Sequence, residues 1–133
     1  QDRVAIQAHR HLARQGLFIA SMPNPDLLAT LPRQGEPQEE ITFSHPIDGH
    51  PVQVLSQWQR TETSVTFQWH YDHLQPDGQV QRQTLSAKHH LRSTDDIVGT
   101  FSRTGLRVET LYGDYDHSPY DEESPYLIVV SRG

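Results

Sequence analysis

Two Asp-Gly pairs constrain this chain more than any other feature. They lie in Ile47-Asp48-Gly49-His50 and Pro76-Asp77-Gly78-Gln79, inside a stretch where apolar and polar residues alternate. Such pairs mark tight hairpin turns, because glycine tolerates the positive φ those turns demand. The segments PVQVLSQWQRTE, SVTFQWHYDHLQ and QVQRQTLSAKHHLRS therefore read as long antiparallel strands. Val52, Val54, Ser56, Trp58 and Arg60 fall on one face of the first strand. Val65, Phe67, Trp69 and Tyr71 fall on one face of the next. Period-two alternation describes a sheet with one buried and one wet face.

The flanks have a different period. Val4, Ile6, Ala8, Leu12 and Ala13 give a partial helical stripe, with Gly16 expected as the cap beyond it. Leu17 to Ala20 is a short apolar run without alternation, as expected of a strand buried on both faces. Pro23 and Pro25 stop it, Asp26 to Leu31 suits a short helical turn, and Arg33 to Glu40 reads as loop. Further on, Ser93 or Thr94 caps a helix whose first turn holds Asp95 and Asp96, where negative charge suits the helix dipole. Ile97, Val98 and Phe101 form its apolar side, and Gly105 ends it. The tail from Gly105 to Val130 is an alternating strand, LRVETLY, then a polar loop, GDYDHSPYDEESP, then a continuous apolar strand, YLIVV. That loop is too long for a hairpin, and long loops in compact domains are usually functional or disordered.

Composition removes several classes of function. The chain has 133 residues, a net charge of −6 and no cysteine. Its hydrophobic fraction of 34% is lean for a self-sufficient core, since a chain of this size buries roughly two-thirds of its unfolded surface. The acidic balance argues against non-specific nucleic-acid binding and against an anionic membrane surface. No apolar run approaches the ~20 residues of a membrane span. Without cysteine there are no disulfides and no thiolate metal sites, and a cytoplasmic protein is expected.

The tail and the segments upstream carry a resemblance. QDRVAIQAHRHLARQG, LFIASMPNPD, STDDIVGTFSRTG and the GDYD-to-LIVV tail, in that order, resemble the C-terminal end of class I S-adenosylmethionine-dependent methyltransferases. The resemblance covers Asp2 to Asp26 and about Ser93 to Arg132. It implies an α/β fold, or α+β for the piece alone: the C-terminal part of a Rossmann-like methyltransferase sheet carrying an antiparallel β insertion. Residues 1–31 and 93–133 would belong to the methyltransferase core, and residues 32–92 would be the insertion, a substrate-side cap. In that family the cofactor lies on a glycine-rich loop and an acidic residue of the other half. No G-x-G-x-x-G occurs here, so S-adenosylmethionine is expected in the full-length parent and no cofactor is expected on this chain alone. The chain opens inside a helix without an initiator Met, which fits a C-terminal half. Expected partners are a small-molecule methyl acceptor and either the missing N-terminal half or a second copy, joined through an open sheet edge.

Open parallel sheets bind ligands outside the carboxyl ends of their strands. Met22 to Asp26 leaves one such end and Gly113 to Pro125 leaves another. The expected substrate-binding residues are therefore Asn24, Asp26, Asp114, Tyr115, His117 and Tyr120, beneath the antiparallel segment as a roof. Each has a plainer role available: Asn-Pro-Asp is ordinary helix-start chemistry, and Tyr and Asp often pin a loop to its own backbone. Trp58, Trp69 and Tyr71 suit a pocket wall or sheet core. His70 and Asp72 share a strand face that His73 does not, and neither His9/His11 nor His89/His90 forms a chelate, so no metal site is expected. No nucleophile-elbow sequence is present. The catalytic base, if the acceptor needs one, is not identified by the sequence. The competing function is a non-enzymatic β-rich binding or dimerisation domain. The resemblance implies that Leu127–Val130 lies antiparallel between Leu17–Ala20 and Arg107–Leu111 and that the chain does not bind S-adenosylmethionine by itself; an open edge on Leu17–Ala20 would make the chain self-associate.

Overall fold

The computed structural model of the chain describes residues 2–133. In chain order the elements are α1 (Asp2–His11), β1 (Leu17–Pro23), α2 (Pro25–Thr30), β2 (Gln38–Ser44), β3 (Pro51–Arg60), β4 (Ser64–Leu74), β5 (Val80–His90), α3 (Thr94–Arg103), β6 (Arg107–Tyr112) and β7 (Tyr126–Arg132). They form two compact units, residues 2–30 with 92–133, and residues 31–91.

The first unit is a three-stranded sheet in the order β1-β7-β6. β7 runs antiparallel to both neighbours, with Ala20 and Leu111 opposite Val129. The expected placement of the last strand between the other two is what the structure shows. The continuous apolar run of β7 is explained by that central position: Leu127, Ile128 and Val129 are all buried. α1 and α3 contribute Ala5, Ile97 and Phe101 to the core, which closes on Leu106, Leu127 and Val129. Ser93 caps α3 by accepting the Asp96 N–H, and Gly105 ends it at φ 94°.

Two details of this unit differ from expectation. β1 is not buried on both faces. It is an edge strand with burial alternating along it, and Leu17 and Ile19 are 49% and 59% exposed. The reason is that β1 has one strand neighbour and helices cover one of its faces. The left-handed residue after α1 is Gln15, at φ 65°, rather than Gly16. Gly16 is required for space, since a Cβ there would lie 2.9 Å from the Ala13 carbonyl oxygen.

The second unit is an antiparallel sheet in the order β2-β3-β4-β5. The registers place Val54 opposite Tyr71, Trp58 opposite Phe67 and Trp69 opposite Leu85, so the faces assigned from alternation do coincide. β2 reaches back to Gln38, into a segment expected to be loop. Its Gln-Glu-Glu start is exposed throughout, so nothing apolar announces it. Trp58 stands on Gly35, where no Cβ fits, and its indole N–H donates to the Pro32 carbonyl at 3.2 Å.

Candidate functional site

Because β1 and β6 both run opposite to β7, they run parallel to each other. The turn after β1 and the loop 113–125 after β6 therefore leave one edge of the first unit's sheet. Asn24 ties them together. Its side-chain amide nitrogen approaches the carbonyls of Ser124, Glu122 and Asp121 at 2.7, 3.1 and 3.3 Å. Its Oδ1 accepts the Asp26 N–H at 2.9 Å, which starts α2. The residue is 1% exposed. A buried amide with every group occupied is a joint between two chain segments.

Tyr120 completes the joint. Its hydroxyl lies 2.7 Å from Asp26 Oδ2 and 2.8 Å from Asn24 Oδ1, so one phenolic proton faces two acceptors. The Thr94 hydroxyl sits 2.8 Å from the same oxygen. Burial pushes the Tyr120 hydroxyl up to about 12; the Asp26 carboxylate adds to this and the Thr94 hydroxyl opposes it. Tyr120 is thus neutral across the physiological range, a donor to Asp26.

The rest of the loop is built for display. Gly113 is buried, and a Cβ on it would lie 2.2 Å from Ser124 Oγ. Asp114 Oδ1 accepts the Tyr115 N–H at 2.7 Å, and Asp116 takes the N–H and hydroxyl of Ser118, which hold its carboxyl below the usual range. Tyr115 is 66% exposed; its ring centroid is 5.1 Å from that of Tyr126, and its hydroxyl is 2.8 Å from Ser21 Oγ. His117 is left-handed at φ 66° and exposed, with its ring 5.0 Å from that of Tyr112.

Of the six residues singled out from the sequence, Asn24, Asp26 and Tyr120 meet directly, and Tyr115 meets Ser21 of β1. Asp114 serves the turn, and His117 rests against Tyr112. Sequence reasoning missed Ser21 and gave Thr94 the wrong task. Ser21 reads as one more residue of an apolar strand, and Thr94 as an alternative cap to Ser93. In the second unit, Asp72 is gripped by Arg82 through two bonds of 2.6 Å, and His70 bonds to Gln57 and Thr84. No described helix is long and apolar enough to cross a membrane.

What the edge offers is a carboxylate, a neutral phenol, an exposed phenol and two aliphatic hydroxyls on a rigid frame. These groups are the hydrogen-bond donors and acceptors gathered at this edge.

No protein-family model and no curated protein matches the sequence. Solved structures do match. The chain is similar to an S-adenosylmethionine-dependent methyltransferase of Clostridium acetobutylicum, with a TM-score of 0.78 at 11% identity over 98% of this chain and 50% of that one. It is similar to CalS10 of Micromonospora echinaspora, an amino pentose methyltransferase with S-adenosylmethionine bound, with a TM-score of 0.69 at 13% identity over 99% and 50% of the two chains. It is also similar to the sugar N-methyltransferase KedS8 of Streptoalloteichus, with a TM-score of 0.70 at 19% identity over 99% and 49%. At these identities the likeness is one of fold. This chain has the fold of one half of an S-adenosylmethionine-dependent methyltransferase and spans about half the length of the structures it matches.

Proposed function

We propose that the chain is the C-terminal, substrate-side part of a methyltransferase that acts on a small polar acceptor, and that its first unit is the end of a Rossmann-like sheet. The observation that carries this reading is the joined edge. Two loops from parallel strands are fixed to each other there by Asn24 and Tyr120, and the bound shape leaves Asp26, Tyr115 and Ser21 to hold an acceptor. The amino pentose and sugar N-methyltransferases among the similar structures make a sugar amine the acceptor class of choice.

S-adenosylmethionine would supply the methyl group, and the residues present do not fit it. Among the described residues, no strand passes through a glycine-rich turn into a helix. The β1-to-α2 turn is Pro23-Asn24-Pro25, whose amide is consumed by the loop, and the space at Gly113 is filled by Ser124. We assign the cofactor to the rest of the parent protein. The apolar groove of about 170 Å³ lined by Val4, Phe18, Met22 and Phe101, with the open edge of β1, supports a further layer joining on that side.

Methyl transfer is a displacement in which positioning matters most. Tyr115 and Ser21 hydrogen-bond the acceptor's hydroxyls. An ammonium has no lone pair, so the nitrogen must lose its proton first; Asp26 accepts it or orients the group that does. His117 is the second candidate base. The test uses the full-length parent, labelled S-adenosylmethionine and a panel of amino sugars. Tyr115→Phe is expected to weaken acceptor use by roughly 0.5–1.5 kcal/mol, one neutral hydrogen bond, with cofactor affinity unchanged. His117→Ala is expected to alter the pH profile of turnover only if His117 is the base. Wild-type rates and affinities for Tyr115→Phe, His117→Ala and Asp26→Asn together would make the edge structural.

A second reading, association through β sheets, has its own observation. Ile41, Phe43 and Leu85 are exposed on one face of the second unit's sheet, and β1 has an unpaired edge. We propose that the chain self-associates when the rest of the parent is absent.

A further inference from the structure

The Asp-Gly turn between β2 and β3 does more than reverse the chain. It brings His45 and Asp48 against His73, which lies near the end of β4. Asp48 Oδ1 is 3.4 Å from His45 Nδ1, Asp48 Oδ2 is 3.0 Å from His73 Nε2, and one donor atom from each residue lies within 4.8 Å of the others. The His73 side chain is 16% exposed. The His45 and His73 rings stack at 4.2 Å and 18°. Both line a cleft of about 180 Å³ with Phe43, Tyr71 and Gln83.

We propose that His45 Nδ1, His73 Nε2 and the Asp48 carboxylate bind one Zn²⁺, with the remaining position open to water on the cleft side. Two imidazoles and a carboxylate are a donor set that zinc takes readily. Two ligand atoms about 2.1 Å from a tetrahedral ion lie about 3.4 Å apart, close to the two shorter separations here. His45 Nδ1 carries a lone pair rather than a proton, since it accepts the Ile47 N–H at 3.3 Å, a bond the ion would replace. His73 has an outer partner, since Gln75 Nε2 lies 2.9 Å from its Nδ1. With the Gln75 carboxamide turned over, its Oε1 accepts a proton on Nδ1 and leaves the Nε2 lone pair for the ion; the Gln81 carboxamide, which now accepts from Gln75 Nε2 at 3.4 Å, turns over with it. The stacked rings do not share a plane, so His45 must rotate about its side-chain torsions for both lone pairs to meet one ion. His45 precedes the turn, so that rotation needs no movement of a strand interior.

This assignment differs from the expectation of no metal site, which weighed only neighbours in sequence: His70, Asp72 and His73, His9 and His11, and His89 and His90. The first three divide between the two faces of β4. The ligands that meet His73 come from 25 and 28 positions upstream.

The test is titration of the metal-stripped 133-residue chain with ZnCl₂ by calorimetry, with histidine ¹⁵N spectra in parallel. One equivalent is expected, shifting His73 Nε2 and His45 Nδ1 resonances and ending the mutual ring-current shifts of the stack. His73→Ala and Asp48→Asn should each weaken binding by at least about tenfold, and Gln75→Leu by about tenfold. His70→Ala, on the opposite sheet face, should leave binding unchanged and controls for the chain's other histidines. Circular dichroism establishes that each variant is folded, and Asp48→Asn retains the oxygen that accepts the His50 N–H. Absence of stoichiometric binding, or binding unaffected by His73→Ala and Asp48→Asn, overturns the site.

Discussion

Asn24 shows how much one side chain can do to fix a loop. From the sequence, Asn-Pro-Asp is a helix start, and half of the side chain does that work through the Asp26 N–H. The other half meets three carbonyls 97 to 100 residues away, which no local pattern announces. Asn24→Ala would strand the buried Ser124 carbonyl and untie the loop, at a cost of about 1–3 kcal/mol. Urea denaturation should show a lower midpoint, and hydrogen exchange should show the largest loss of protection in 113–125. A variant of wild-type stability would remove Asn24 from its place as the joint. Tyr120, one hydrogen bond further out, was legible as a loop aromatic, but its near-neutrality up to about 12 is a product of burial beside Asp26.

At the scale of elements, the long loop after β6 is held open by its own chemistry. Gly113 gives up its N–H to the Ser118 carbonyl and accepts from the Tyr126 N–H, so the middle of the loop and its far end both close on one residue. Gly113→Ala would drive a Cβ to 2.2 Å from Ser124 Oγ. Overpacking of this kind costs about 1–3 kcal/mol. Thermal unfolding should fall accordingly, and Ser124→Ala in the same background should recover part of the loss by removing the clashing oxygen. The recovery should be partial, because the Ser124 Cβ still lies 2.7 Å and the Pro119 carbonyl oxygen 3.1 Å from the added methyl; a Gly113→Ala variant of wild-type stability would show that the loop yields this space. The strands around the Asp-Gly turns were readable because turn chemistry and alternation agree there. β2 was partly lost, because Gln38 to Glu40 are polar and exposed, and hydrogen bonding to β3 alone makes them a strand.

For the whole molecule, exposed apolar surface is the leading fact. Leu17 and Ile19 lie on an edge strand, and Ile41, Phe43 and Leu85 share a sheet face. Unpaired edges template pairing with other chains, and apolar faces of this kind mark contact sites. Sedimentation of the chain alone should show mass rising with concentration. A double change of Ile19→Lys and Leu17→Lys should lower that mass if edge pairing is the route. A strict monomer at high concentration would remove both routes.

The sequence by itself determined what depends on neighbours along the chain. Its two periods separated α/β flanks from an antiparallel centre, its Asp-Gly pairs placed the hairpins, and Ser93 and Gly105 bounded α3. The central place of β7 came from the resemblance and agrees with its apolar run, whereas the similar run in β1 proved to be an edge. Tertiary structure decided everything that depends on residues far apart meeting. It made β1 an edge, gave Ser21 and Thr94 partners, turned Asn24 from a cap into a joint, and set His73 beside His45 and Asp48. Local patterns record the solvent exposure of each residue's own element. Side-chain amides, hydroxyls and imidazoles take their partners from whichever strand end the fold delivers, and that is fixed by strand order and register.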